Sequence, residues 1–309
     1  MIVTVTPNPS IDRTLRIPPL VRGRVMRAMS ATAEAGGKGI NVARALAAHG
    51  QATVAVAPLS AASAAEFAAL LGAAAPLDAV TIAGRARVNV SLVEDDGTVT
   101  KVNEPGPELG TADVEAILER VTALAAGAEW VAGCGSLPPG APPDFYARLA
   151  ARLPARVNVA VDADGSALRE AASARVALLK PNLTELEMLV GRPLATLGEV
   201  IAAAQDVVAG GVDRLLVSLG ADGAVFVDAD GATHAEARID DVVNAVGAGD
   251  ALLAGFLAGG GGRDALRSAV AWSVAACRSP GTRMRVVTTR DMDAVEVHGV
   301  VRADRPLAA

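Results

Sequence analysis

Short aliphatic runs alternate along this chain with Ala-rich stretches of helical length. Residues 2–6, 53–57, 130–132, 157–161, 176–179 and 215–218 read as strands, each followed by a glycine, a proline or a helical pattern. Residues 37–49 place Ile40, Ala43, Leu46 and Ala47 on one helical face and stop at Gly50, a residue suited to a helix C-terminus. Strand and helix repeating in this order predict βαβ units around a largely parallel sheet.

Two segments break that alternation. Residues 85–103 alternate with period two around Asp95-Asp96-Gly97, a hairpin signal. Residues 12–32 are also strand-like, and Pro18 and Pro19 exclude one continuous helix there. Together, about 10–33 and 85–104 predict a small β-sheet standing off a single domain of residues 1–309. A sheet that small is marginal alone, so it is expected to cover a site as a lid and to pair with a second copy, giving a homodimer.

The 309 residues are 51% hydrophobic and 20% charged but only 2% aromatic, so the core is built from small aliphatic side chains. A net charge of −6 with no polybasic run argues against nucleic acid and against anionic membranes as partners. Cys134 and Cys277 are far apart and lack metal-ligand spacing, which excludes a disulfide framework and a zinc motif. The opening residues lack a basic-then-apolar leader and no apolar stretch is of spanning length, so a cytoplasmic, unprocessed protein is expected.

Candidate chemistry gathers at glycine turns. Gly247-Ala248-Gly249 leads straight into an apolar helical pattern with Asp250 in its first turn. Amides at a helix start attract anions, and a carboxylate there could accept a proton from a substrate hydroxyl while the amides stabilise a transferring phosphoryl group. The same pattern also describes a plain N-terminal cap. Gly36-Gly37-Lys38-Gly39 is a second glycine turn entering a helix, with a lysine able to reach an anion, although no GxxxxGK[ST] motif exists in the chain. The stiff loop 135–140 exposes Ser136, and residues 218–223 form a further glycine turn after a strand.

In order along the chain stand TPNPSID, GGKGIN, RARVNV, VNEPG, GSLPPG, KPNLTELE, SLGADG, NAVGAGD and SPGT. This series resembles the PfkB branch of the ribokinase-like sugar kinases over nearly the whole chain. The resemblance implies an α/β fold of three layers, α/β/α, with a central mostly parallel sheet and a β-lid, and it implies ATP and Mg²⁺ as cofactors. Carried over by motif, Asp250 is the base, and Gly247, Ala248 and Gly249 form the anion hole. Asp12, Asn41 and Asn89 would hold sugar hydroxyls, with Ser136 and Gly37 beside them. Lys38, Arg27 and Arg87 would clamp a phosphate already on the sugar, a task that suits arginine's bidentate fork. Lys180, Asn182 and Glu185 would organise the triphosphate, Glu185 holding the metal through water. Ser218, Leu219, Gly220, Ala221, Asp222 and Gly223 would form the ATP turn.

Ala245 stands where that family usually has Thr, the pair Ala163-Asp164 where Thr-Ser is common, Pro58-Leu59-Ser60 where many members have two glycines, and Cys134 where serine is usual. None of these removes the base or the anion hole. Within the family the motifs fit best the enzymes that phosphorylate D-fructose 1-phosphate at C6. Kinases of tagatose 6-phosphate or fructose 6-phosphate are the alternatives, and a non-catalytic sugar-phosphate sensor is the alternative of a different class.

Overall fold

A computed structural model describes residues 1–279, 284–299 and 301–308. The chain opens with β1 (Ile2–Val5), β2 (Ser10–Arg16), β3 (Ser30–Gly36), α1 (Lys38–Ala48), β4 (Thr53–Leu59), α2 (Ala61–Leu71) and β5 (Leu77–Thr81). It continues with β6 (Arg87–Val93), β7 (Val99–Asn103), α3 (Thr111–Ala125), β8 (Trp130–Cys134), α4 (Phe145–Arg152), β9 (Asn158–Asp162) and α5 (Gly165–Ala172). Then follow β10 (Leu178–Leu179), α6 (Leu183–Val190), α7 (Leu197–Ala209), β11 (Leu215–Ser218), β12 (Ala224–Asp228) and β13 (Gly231–Ala237). The last elements used below are α8 (Ala248–Ala258), α9 (Ala265–Cys277) and β14 (Val295–His298).

Ten strands form one sheet in the order β14-β13-β12-β11-β10-β9-β8-β1-β4-β5. Pairing is parallel from β11 to β5 and antiparallel across β11 to β14. Successive residues of a strand face opposite sides, and both sides are apolar here because both are covered. Val131, Val159, Val161, Leu215 and Val217 face one core with residues of α3, α4, α5 and α7. Trp130, Ala132, Ala160, Leu216 and Phe226 face the other with residues of α1, α8 and α9. Helix, sheet and helix therefore make the three layers. No helix among the described residues is long and apolar enough to cross a membrane.

The segments that broke the alternation form the second sheet, of four strands in the order β3-β2-β6-β7. The 12–32 stretch is two antiparallel strands, with β2 also running parallel to β6. The strand expected at 176–179 shrinks to Leu178–Leu179, because a turn joins the Val176 amide to the Ala174 carbonyl and Pro181 follows closely. Residues 218–223 form a hairpin turn joining antiparallel β11 and β12. Of the SPGT motif only Ser279 falls within the described residues.

Candidate active site

Strands of a parallel sheet end on one edge, and the loops leaving those ends collect the polar residues. Asp250 enters there on the first turn of α8, after Gly247, whose φ of 82° sets the left-handed turn. Asn41, in the first turn of α1, donates from Nδ2 to Asp250 Oδ2 at 2.8 Å. Arg44, one turn further on, donates to Asn41 Oδ1 at 2.5 Å, and this fixes the direction of the amide. Asp250 is buried, which pushes its carboxyl up, as does the charge of Asp162; Asn41, Lys38 and Lys180 pull against them, leaving it at about 6. A carboxylate poised near neutrality is suited to accept a proton. The first amides of α8, which have no carbonyl one turn back, open on the same space.

Beside Asp250 lies a buried ionic cluster. Asp162, the fully buried last residue of β9, sits 2.8 Å from Lys38 Nζ and 3.0 Å from Lys180 Nζ. Burial alone would raise the Asp162 carboxyl, but Lys180 and Lys38 outweigh it and hold the group below its usual range. Burial likewise opposes the Lys38 charge, and Asp162, Glu185 and Asp250 overcome it, so that ammonium is held above its ordinary value. Lys180 also borders the start of α8, since a Cβ added to Gly249 would stand 3.6 Å from its Nζ. Asn182 and Glu185 cap α6 reciprocally, Asn182 Oδ1 accepting from the Glu185 amide and Glu185 Oε2 from the Asn182 amide, each at 2.8 Å. The other oxygen of Glu185 lies 4.0 Å from Lys38 Nζ.

The second sheet supplies a different set of groups. Asp12 Oδ1 accepts from Ser10 Oγ at 2.7 Å and from Asn89 Nδ2 at 3.0 Å, Asp12 and Asn89 being register partners on β2 and β6. Glycine is required at position 36, because any Cβ there would meet the Asp12 carboxylate at 2.2 Å. Arg87, at the start of β6, lines a cavity of 540 Å³ with Asn8 and Ser136. Its Nε is buried without an acceptor among the described residues, and a half-buried guanidinium with spare donors suits an anion. Burial lowers the Arg87 pKa while Asp12 and Asp164 oppose that.

A groove of 1180 Å³ joins Asp250, Lys38, Asp162 and Lys180 to Ser218, Leu219, Gly220, Ala221 and Gly223. Lys38 lines this groove with Asp162, and Arg87 lines the smaller cavity beside Asn8 and Ser136. Arg27 is exposed in the connection between β2 and β3 and lines none of these cavities. Asp222 points away from the groove: its carboxylate accepts from Arg305 Nη2 at 2.9 Å and from the Ala308 amide at 2.6 Å. The C-terminal segment thus straps the turn, so Asp222 positions it. Arg305→Ala is expected to raise KM for a nucleotide bound at that turn about 3- to 10-fold, from loosening a contact by about 0.7–1.4 kcal/mol, while KM for the second substrate stays put; steady-state kinetics in both substrates checks this.

Sequence reading passed over Asp162, although an acidic residue closing a strand before a loop is a usable signal. It also passed over Arg44 and over Lys101, which reaches the groove from β7. Cys134 is buried and Cys277 partly so, and burial raises both thiols, as expected for inert cysteines.

A family profile described as "pfkB family carbohydrate kinase" matches residues 6–289. The 1-phosphofructokinase of Rhodobacter capsulatus is 40% identical over 260 residues, covering 83% of this chain and 82% of that protein. The 1-phosphofructokinase of Haloferax volcanii is 38% identical over 296 residues, covering 92% and 93%. The solved structure of phosphofructokinase-2 from Escherichia coli in complex with substrates and products superposes with a TM-score of 0.86 at 30% identity, over 94% of this chain and 97% of that one. With a ribokinase-like three-layer fold, a separate four-stranded sheet and a buried aspartate behind Gly-Ala-Gly, the chain belongs to the pfkB family of carbohydrate kinases and is a sugar kinase.

Proposed function

We propose that this chain transfers the γ-phosphoryl group of ATP to the C6 hydroxyl of D-fructose 1-phosphate, giving fructose 1,6-bisphosphate. The observation that carries the chemistry is Asp250, buried at a helix start where it lines the groove and accepts from Asn41. The relatives named 1-phosphofructokinase in both bacteria and an archaeon support the sugar. An ADP-release assay run side by side on fructose 1-phosphate, fructose 6-phosphate and tagatose 6-phosphate tests it. The highest kcat/KM is expected with fructose 1-phosphate, and a preference for either other sugar overturns the assignment.

In this reading Asp250 takes the C6 proton as the O6–Pγ bond forms and the bond from Pγ to the bridging oxygen of ADP breaks. The first amides of α8 and Lys180 stabilise the charge that develops on the transferring group. Asp12, Asn89 and Ser136 hold the sugar hydroxyls, and Val246, Leu252, Val270 and Val274 give the groove an apolar wall for the base of ATP. Both oxygens of Asp162 are taken by Lys38 and Lys180, so Glu185, whose outer oxygen lies 4.0 Å from Lys38 Nζ, is the carboxylate that would hold Mg²⁺ through water, an ion that takes one or two carboxylates and completes its shell with water and phosphate. Bound there, Mg²⁺ would neutralise the triphosphate.

Arg87 faces the sugar phosphate. Arg87→Ala is expected to lower kcat/KM for the sugar roughly 10- to 150-fold, from a charge-assisted contact of about 1.5–3 kcal/mol, with KM for ATP nearly unchanged. Equal losses for both substrates would point instead to a lid defect. The lid also pairs with a second copy. β7 exposes Val99 and Val102 and the connection from β2 to β3 exposes Val25 and Met29, apolar side chains that a second copy would cover. Sedimentation is expected to give a dimer that Val102→Lys weakens. The cytoplasm, a reducing setting, suits two free thiols.

A further inference from the structure

The far edge of the large sheet carries groups that phosphoryl transfer does not use. Two of the chain's three histidines lie directly opposite one another there, His234 on β13 and His298 on β14. Their rings stack with centroids 5.5 Å apart and planes 19° from parallel. Glu236, two residues along β13 from His234, projects from the same face by the pleat, and its Oε1 lies 3.2 Å from His298 Nε2. One donor atom from each of the three lies within 4.8 Å of the other two, and among the described residues no other His, Cys, Asp and Glu group meets that spacing.

We propose that His234, Glu236 and His298 form a binding site for a divalent transition metal of the zinc class, separate from the phosphoryl-transfer centre. The donor set is two imidazole nitrogens and one carboxylate oxygen, which selects Zn²⁺, Co²⁺ or Ni²⁺ over the oxygen-seeking Mg²⁺.

The surroundings orient each donor. His234 Nε2 lies 2.7 Å from the Asp222 carbonyl, which can only accept, so Nε2 carries the hydrogen and Nδ1 keeps its lone pair for the metal. A backbone carbonyl holding the far N–H of a ligating histidine is the usual outer support of such sites. Arg305 pairs with Glu236 Oε2 at 2.8 Å, which fixes the carboxylate and leaves Oε1 toward His298. His234 and Glu236 are buried, whereas the His298 side chain is 36% exposed and provides the way in. Tetrahedral ligands at about 2.0–2.1 Å stand roughly 3.3 Å apart, so binding draws the three inward, His298 moving most because it is least packed. Its ring keeps one hydrogen on Nδ1 while Nε2 turns from Glu236 to the metal, and water takes the fourth position on the open side.

The test is calorimetric titration of the full-length protein with ZnCl₂ in millimolar MgCl₂, followed by Co²⁺ absorption spectra. Wild type is expected to bind one Zn²⁺ that Mg²⁺ does not displace, and to give a Co²⁺ spectrum of nitrogen and oxygen ligation. His298→Ala, at an exposed position that leaves both cysteines and the phosphoryl-transfer residues intact, is expected to weaken Zn²⁺ at least about 100-fold. Zn²⁺ should then raise the thermal midpoint of wild type but not of the variant. Absence of Zn²⁺ binding in wild type, or unchanged affinity in His298→Ala, overturns the proposal, as does a Co²⁺ spectrum dominated by thiolate ligation.

Discussion

Asp250→Asn is expected to lower kcat by roughly 10²- to 10⁴-fold and, in the same protein, to raise the thermal midpoint above pH 6. The first effect follows from losing the proton acceptor while size and the contact with Asn41 are kept. The second follows from linkage. Burial and the nearby Asp162 raise the folded-state pKa of Asp250 from 3.8 to about 6. The folded protein therefore binds this proton more tightly than the unfolded chain does. Stability falls as pH climbs from 3.8 towards 6 and stays reduced above that, by an amount on the order of 3 kcal/mol if the whole rise is expressed. A neutral amide escapes that cost, so the advantage of the variant should vanish below about pH 4. Thermal melts at pH 4 and pH 8 together with kcat measure both. An active variant would remove Asp250 from its role, and a stability difference between variant and wild type that is the same at pH 4 and pH 8 would show that the ionised carboxylate carries no such cost.

Asp162→Asn is expected to act in the opposite direction on stability and the same direction on activity. It strips the shared counter-ion from Lys38 and Lys180, and Lys180 is only 4% exposed. Removing one partner of a buried pair leaves an uncompensated charge and costs about 3–5 kcal/mol. For a chain of this size that lowers the midpoint by roughly 5–8 °C. Because the folded pKa of Asp162 lies below 3.8, its stabilisation is fully present above that pH and is lost only as pH falls through the lower folded value, so the deficit should persist at pH 5 to 8. The double variant Asp162→Asn with Lys180→Met should regain much of the stability, since a matched removal leaves less charge unpaired, yet remain poorly active. Denaturant melts of the wild type, the two single variants and the double variant form the cycle; additive losses would mean that the two side chains do not depend on one another.

What was legible in advance followed from local rules. Apolar runs separated by helical periodicity specified a covered parallel sheet. The period-two alternation of 85–103 and the proline-broken, strand-like 12–32 specified the strands of the second sheet, because the pleat imposes its alternation residue by residue. Gly-Ala-Gly before an apolar helix located the start of α8 and Asp250 upon it for the same reason: a left-handed turn at Gly247 is a demand on that residue alone. The 176–179 strand was overestimated because a turn at Ala174 and Pro181 truncate it, and propensity does not register backbone contacts beyond the run.

Roles that depend on convergence were decided only in three dimensions. Asn41 reaches Asp250 across 209 positions and Lys38 reaches Asp162 across 124, so no spacing along the chain announces either pair. Lys38 is held by Asp162 while Arg87 lines a cavity with Asn8 and Ser136, and Asp222 leaves the groove for Arg305 although its neighbours Ala221 and Gly223 stay in it. The chain by itself determined which elements form and which residues end them, since those choices are settled by a few neighbouring dihedrals and side chains. The tertiary structure decided which charges are buried together, because burial and Coulomb interaction depend on distance through the fold and not on distance along the sequence.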